Sequence, residues 1–303
     1  MSVSSKILSE NVAAIVVTFN PEIKDFEVFL NCLKIQFKTI VIVDNFSDNL
    51  TEIEKLYDGL CINDSKFIKN NSNLGLAFAQ NQGVSYLDSS KFTAFCMFDQ
   101  DSLIDENYLI NIVCEYNKLV ESGNKIASLG PSIVDQHTNN IYPFPIYSGP
   151  FLHRKYLKSN ETIKCSYIIA SGSLTPLLAF QKIGNFMDMF FINYIDVEWC
   201  FRAKALGYDI FATNNVKLYQ NVGLYRKLIF GRAIPVHSPL RRYYSSRNSI
   251  YMIKLPYVSI GYKLRELFFN PIRLVFDCIV AGQSLFRTKL FIKGIIEGIL
   301  NRA

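Results

Sequence analysis

With 303 residues, half of them hydrophobic and 14% aromatic, the chain has the apolar mass for one large core or two modest ones and is no disordered segment. The net charge of +6 is uneven: residues 1–220 hold 18 Lys/Arg against 23 Asp/Glu, and residues 221–303 hold 14 against 3, so a mildly acidic front precedes a strongly basic tail. Seven scattered cysteines without metal-site spacing suit free thiols in a reducing compartment, and the polar stretch Met1 to Glu10 lacks a signal-peptide core.

Val12 to Phe19 is a dense Val/Ile run ending in Thr18-Phe19-Asn20-Pro21, which predicts a first strand buried on both faces. Phe26, Phe29, Leu30 and Leu33 follow at helical spacing. Thr39 to Val43 predicts a second strand ending at Asp44-Asn45, with Ser47 or Asp48 capping a helix over Leu50 to Tyr57. Lys66 to Lys69 is a third strand. The polar turn Asn70-Asn71-Ser72-Asn73-Leu74-Gly75 leads into a helix over Leu76 to Leu87. Thr93 to Phe98 then predicts a buried strand closed by Asp99-Gln100-Asp101.

Alternation of strands and helices argues for a mostly parallel sheet covered on both faces, with ligands at the strands' carboxyl ends. Thr18 and Asn20, Asp44 and Asn45, and Asp99 and Asp101 all fall at such ends. Two carboxylates one residue apart repel unless a cation or proton sits between them, and Mg²⁺ or Mn²⁺ held with substrate phosphates is one solution. A solvated turn is the plainer one. No G-x-G-x-x-G follows the first strand and no G-x-x-x-x-G-K-[ST] occurs, which argues against dinucleotide enzymes and P-loop NTPases.

Further on, Asp105 to Val120 reads as a helix, Ile126 to Leu129 as a short strand, Pro131 to Lys158 as loop, and Ile168 to Ser173 as a strand into a turn. Asp196 falls where another helix begins, with Val197, Phe201 and Ala205 on its apolar face and Glu198 and Arg202 spaced for an ion pair. In the tail, Ile272 to Phe286 is apolar but too short to cross a bilayer. Ile292, Ile295, Ile296 and Ile299 recur at helical spacing while Lys289, Lys293 and Glu297 share another face, so this helix either lies on a membrane surface or packs on the core. No nucleic-acid motif accompanies the basic residues.

Val17-Thr18-Phe19-Asn20, Val43-Asp44-Asn45, Asn73-Leu74-Gly75, Phe98-Asp99-Gln100-Asp101 and Ile195-Asp196-Val197-Glu198-Trp199 with Arg202 stand in an order that resembles the family 2 glycosyltransferases. These are inverting enzymes of the GT-A fold. The Asp-Gln-Asp form, the run from Phe190 to Trp199, and His237-Ser238-Pro239 with Arg241 and Arg247-Asn248 look most like bacterial rhamnosyltransferases of surface polysaccharide (O-antigen) synthesis.

The resemblance implies an α/β, Rossmann-like nucleotide-binding half over 1–130, an acceptor half over 131–220 and a basic helical extension over 221–303. It implies that Thr18, Asn20, Asp44, Asn45, Asn73, Gly75, Asp99 and Gln100 bind the nucleotide-sugar. Asp101 and Asp99 hold Mn²⁺ or Mg²⁺, and Asp196 is the general base. Glu198, Trp199, Arg202, His237, Arg241 and Arg247 serve the acceptor or diphosphate side. Gln220 stands where the family often has a metal-binding His, and its carbonyl is a further candidate ligand. The implied donor is dTDP-L-rhamnose and the implied acceptor a lipid-linked saccharide. The implied location is peripheral, on the cytoplasmic face of the inner membrane. The rival readings are the same fold using another nucleotide-sugar donor and a non-catalytic nucleotide-sugar-binding scaffold, and a homo-oligomer is compatible with each.

Overall fold

The structure is a computed structural model, and it describes residues 4–62, 64–136, 138–220, 225–229, 232–236, 238–281 and 284–301. Its first part runs β1 (Val12–Thr18), α1 (Ile23–Gln36), β2 (Ile40–Asp44), α2 (Leu50–Leu60), β3 (Lys66–Lys69), α3 (Leu76–Ser85), β4 (Ala94–Asp99), β5 (Leu103–Ile104) and α4 (Tyr108–Glu121). Then follow β6 (Ile126–Asp135), β7 (Phe144–Ser148), β8 (Phe151–Lys155), β9 (Thr162–Cys165), β10 (Leu174–Pro176), α5 (Leu177–Ile183), α6 (Ile195–Ala205) and β11 (Asp209–Gln220). The strands β12 (Tyr225–Ile229) and β13 (Arg232–Val236) pair as a ribbon, and α7 (Pro239–Lys254), α8 (Ile260–Ala281) and α9 (Ser284–Leu300) close the chain.

The main sheet has the order β3-β2-β1-β4-β10-β6-β11-β5, with β9 also paired to β11. Pairing is parallel from β3 to β4 and again between β6 and β11, whereas β10 is antiparallel to both neighbours. The sheet is therefore mixed, its β3-β2-β1-β4 half parallel. The expected two-sided burial of the first strand is found: Ala13, Ile15 and Val17 enter one core layer, and Val12, Ala14 and Val16 the other. β4 divides likewise, Phe95 and Met97 to one side and Cys96 and Phe98 to the other. All seven residues of β1 are buried, as a strand covered by helices on both faces must be.

Several boundaries differ from expectation. α2 starts after Asn49, and neither Ser47 nor Asp48 caps it, because both are committed to the loop before it. β6 runs through Pro131 to Asp135: the proline has no N–H to donate, yet flanking pairs with β11 carry the strand past it. The region read as loop contains the β7–β8 hairpin. Residues 168–173 form no strand; the pairing falls to β10, because Gly172 at φ +74° turns the chain there. On α6 the buried residues are Ile195, Glu198, Trp199, Cys200, Phe201 and Ala203, while Ala205 is exposed.

Candidate active site

Loops after β1, β2 and β4 meet two later segments at one end of the sheet. Register places Thr18 beside Asp44 and Val17 beside Asp99. Asp44 is 1% exposed, and its carboxylate accepts from Thr18 Oγ1 (2.9 Å), Ser47 Oγ (2.5 Å), Ser47 N (2.9 Å) and Phe46 N (3.1 Å). Its lone pairs are thus used in shaping the loop. Asn20 completes that loop: its N–H donates to Ser47 Oγ and its Oδ1 accepts from Asp48 N. Gln100 pairs with the main chain of Phe19 in both directions, at 2.7 and 3.2 Å, so it fastens the β4 loop to the β1 loop.

Asn45 and Asn73 are joined side chain to side chain at 2.9 Å, and Asn45 Oδ1 also accepts from Leu74 N. Gly75 follows at φ +88°, where a Cβ would lie 2.6 Å from the Phe191 ring. Only glycine lets the 73–76 turn press against the segment that enters α6. Leu76 N donates to Phe191 O across this contact.

Asp99 ends β4. Its carboxylate accepts from Gln220 Nε2 at 2.7 Å, and its N–H donates to Ser171 Oγ at 3.0 Å. Gln220 also reaches Ser171 Oγ at 3.2 Å. The amide nitrogen, not the carbonyl, must face a carboxylate. Gln220 therefore positions Asp99 as a donor, which differs from the ligand role expected of it. Ser171 was not among the expected site residues; the small-residue turn Ala170-Ser171-Gly172-Ser173 was its only signal.

Asp196 lies in the first turn of α6, accepting from Val197 N at 2.8 Å and Ala170 N at 3.3 Å. Burial pushes its carboxyl above the ordinary carboxylate range, against those two hydrogen bonds. Asp99 is also raised, chiefly by burial, with the charge of Asp196 adding and the bond from Gln220 opposing. Asp101 is pushed up to about 6 by burial first and the charge of Asp99 second. Arg241 faces both: burial lowers its pKa, and the charges of Asp99 and Asp101 act the other way.

Three carboxylates and one guanidinium therefore share a neighbourhood. Two mutually repelling carboxylates with elevated proton affinity suit a further cation. Among the described residues no three His, Cys, Asp or Glu cluster as a complete protein-only metal site. A divalent ion here would need ligands from a bound diphosphate, which is the usual Mg²⁺ arrangement.

The entry to α6 is strained and firmly held. Phe191, Asn193 and Tyr194 all have positive φ (59°, 67° and 66°). Asn248 Nδ2 donates to the carbonyls of Phe190, Ile192 and Asn193 at 2.7, 2.8 and 3.2 Å. Asn193 accepts from Arg241 Nε at 3.0 Å and donates to Ser245 Oγ, while Tyr194 donates to Glu266 at 2.7 Å. Phe191 stacks on Tyr244 with centroids 4.5 Å apart.

The residues expected on the acceptor side divide. Arg241 faces the acidic cluster. Arg247 is 3% exposed, donates to Met189 O at 2.5 Å and lies over the rings of Tyr243, Tyr244 and Tyr251, so its guanidinium is not open to a diphosphate. Glu198 is 0% exposed and bonded to Arg202 at 2.8 and 2.9 Å and to Tyr257 Oη at 2.5 Å. Arg202 adds the carbonyls of Ile183 and Asn185, and Trp199 donates to Gly184 O. These three hold α6 to the 183–185 turn. His237 lies outside the described residues.

Comparison with known proteins agrees with this geometry. The model of the family described as "Glycosyl transferase family 2" matches residues 13–184, more than half of the chain. A "dTDP-rhamnosyl transferase RfbF" of Shigella flexneri is 29% identical over 299 residues, covering 96% of each chain. Among solved structures, S. aureus TarS 1–349 in complex with UDP-GlcNAc superposes with a TM-score of 0.57 at 15% identity, over 95% of this chain and 81% of that one. GalNAc-T7 with UDP, GalNAc and Mn²⁺ does so at 0.56 and 14%, over 90% of this chain and 57% of that one. At such identities the structures speak for the α/β fold of GT-A type alone. With the ordered motifs and the sheet-end acidic cluster, the family match makes this chain a family 2 glycosyltransferase.

Proposed function

We propose that the protein transfers L-rhamnose from dTDP-L-rhamnose to a hydroxyl of a lipid-linked saccharide, with inversion, in building a bacterial surface polysaccharide. The observation that carries the donor is the end-to-end relationship to a dTDP-rhamnosyl transferase, 96% of each chain at 29% identity. The site's residues supply the rest. Asp196, with elevated proton affinity and both oxygens steered by main-chain N–H groups, takes the proton of the acceptor hydroxyl as it attacks. Asp99, held by Gln220 and Ser171, and Asp101 stand where the nucleotide diphosphate leaves. Asp101, with Asp99 beside it, would hold Mg²⁺ or Mn²⁺, which supplies positive charge against the leaving diphosphate. Arg241 adds a guanidinium to the same neighbourhood. The Asp44 loop and the Asn45–Asn73 pair form a rigid polar rim for base and ribose.

The basic tail supports a place on the inner face of the membrane. No helix among the described residues is long and apolar enough to cross a bilayer. Yet α8 is inverted: Glu266 and Asn270 are 1% and 5% exposed, whereas Leu264, Leu267 and Phe268 are 50%, 55% and 66% exposed. A helix that buries its polar residues and bares its aliphatic ones offers an apolar face to be covered, which supports a bilayer there.

The test is nucleotide release from dTDP-rhamnose, UDP-GlcNAc and related donors, with and without Mn²⁺ or Mg²⁺. Turnover of dTDP-rhamnose that Asp196→Asn abolishes supports the reading. Preference for another donor replaces the sugar. Binding without turnover, lipid-linked acceptor present, turns the protein into a scaffold.

A further inference from the structure

A cavity of about 200 Å³ is walled in part by Ile169, the neighbour in sequence of a hydrogen-bond donor to the candidate base, and none of Glu198, Trp199, Arg202, Arg241 and Arg247 lines it. Its walls are the β7–β8 hairpin, the β6 segment at Pro131, the stretch Tyr167-Ile168-Ile169 and Arg265 of α8. Arg154 and Arg265 are the charged side chains in this lining, and no acid accompanies them. Resting on the glycosyltransferase reading, we propose that this cavity seats the acceptor as a saccharide bearing a phosphate group, its ring against the apolar wall and its phosphate on Arg154 and Arg265.

Position comes first. Ile169 lines the cavity, and the next residue, Ala170, donates its N–H to Asp196 at 3.3 Å. Ile168 O accepts from Cys200 Sγ at 3.9 Å, one turn further along α6. The wall is therefore fastened to the helix that carries the base. The lining residue Ile169 is thus one peptide link away from a direct hydrogen-bond donor of the candidate base.

Chemistry comes second. Pro131, Phe144, Tyr167 and Ile169 offer apolar and aromatic faces of the kind that pack against the C–H face of a pyranose. The volume is below the roughly 300–1,000 Å³ usual for drug-sized ligands, which favours one ring over a long chain. Arg265 lies 3.7 Å from Glu266, but that carboxylate is already bonded to Arg273 at 2.7 and 3.1 Å and to Tyr194. Arg265 also stands over the Phe269 ring, 5.1 Å from its centroid, and interacts with Tyr147, so a ligand would meet the remainder of its five N–H donors. Arg154 and Arg265 line the same cavity, and guanidinium groups match a phosphate better than a neutral hydroxyl array.

The experiment is equilibrium binding by calorimetry on the full chain, with no nucleotide-sugar present. The probes are glucose 1-phosphate, galactose 1-phosphate and N-acetylglucosamine 1-phosphate, each beside its uncharged sugar, and a polyprenyl diphosphate-linked N-acetylglucosamine in detergent. At least one phosphorylated probe binds tenfold or more tighter than its neutral counterpart. Arg154→Gln, on an exposed hairpin position, and Arg265→Gln each remove most of that preference, and Arg154→Lys restores part of it. Equal tightening for soluble and lipid-linked probes places the recognition on the sugar phosphate itself; tightening confined to the lipid-linked probe places it on the carrier diphosphate. Equal binding of charged and neutral sugars, or a preference that both glutamine variants keep, overturns the proposal. Failure of the functional reading is seen separately, as absence of donor turnover, because this binding needs no donor.

Discussion

Asp196 illustrates how a site residue can work against the fold that holds it. Burial raises its pKa, so the folded state favours the neutral acid, whereas the proposed general base must be charged to act. Its contribution to stability is therefore present at low pH and is lost as pH rises through the folded-state pKa. Asp196→Asn removes that ionisation. Transfer should fall by on the order of 10²–10⁴-fold, while the variant melts above wild type at pH 8 and the gap closes on acidification. Calorimetric melting from pH 5 to pH 8 checks the sign; a variant that melts lower at pH 8 would refute it. Wild-type transfer, for its part, should decline as pH falls through the Asp196 pKa, which lies above the ordinary carboxylate value. Gln220 offers a second test at this scale. Gln220→Leu leaves the Asp99 carboxylate without its side-chain donor, a loss of about 1–3 kcal/mol in chemical denaturation, and donor affinity weakens with it.

At the scale of elements, the strand ends present the polar rim and α7 locks the entry to α6. The lock is concentrated in Asn248, whose amide satisfies three carbonyls of a segment with three positive-φ residues. Asn248→Ala should lower stability by about 1–3 kcal/mol and lower kcat more than it raises the donor KM, since it loosens the proposed base and not the proposed nucleotide rim. Steady-state kinetics separates the two. Gly75→Ala acts on the same contact from the other side, by strain at φ +88° and collision with Phe191. Much of the parallel half was legible in the sequence because its strands are continuous apolar runs and α1 shows its buried face as Phe26, Phe29, Leu30 and Leu33. The lock was not. Asn193, Asn248, Glu266 and Ser171 are separated by up to about a hundred residues in sequence, and each looks like an ordinary polar residue until packing joins them. Arg247 misled for the same reason: its charge suggested a ligand, and its aromatic neighbours showed only in three dimensions.

For the whole molecule, the question is why a chain with a well-formed core leaves so much apolar surface on its last two helices. α9 packs on α7 through small residues: a Cβ at Gly294 would collide with Ser246 Oγ and the Tyr243 carbonyl, and one at Gly298 would lie 2.8 Å from Arg247 O. That packing turns Ile292, Ile296 and Ile299 outward, 50%, 50% and 57% exposed, with Lys289 and Lys293 on the same outer side. Leu264, Leu267 and Phe268 of α8 are exposed as well, and the proposed membrane reading puts these apolar residues and the two lysines against an anionic bilayer. Each lysine near such a surface contributes about 1 kcal/mol, and the attraction falls within a Debye length as salt rises. The protein should therefore float with vesicles containing phosphatidylglycerol and not with neutral ones, and binding should weaken severalfold from low to high salt. Leu267→Glu with Phe268→Glu should abolish flotation, and Lys289→Glu with Lys293→Glu should remove its salt sensitivity. The outcome that sinks this account is a protein that ignores anionic vesicles and instead sediments as a dimer that Leu267→Glu dissociates. The exposed face would then belong to a second copy of the chain, and access to a lipid-linked acceptor would need another explanation.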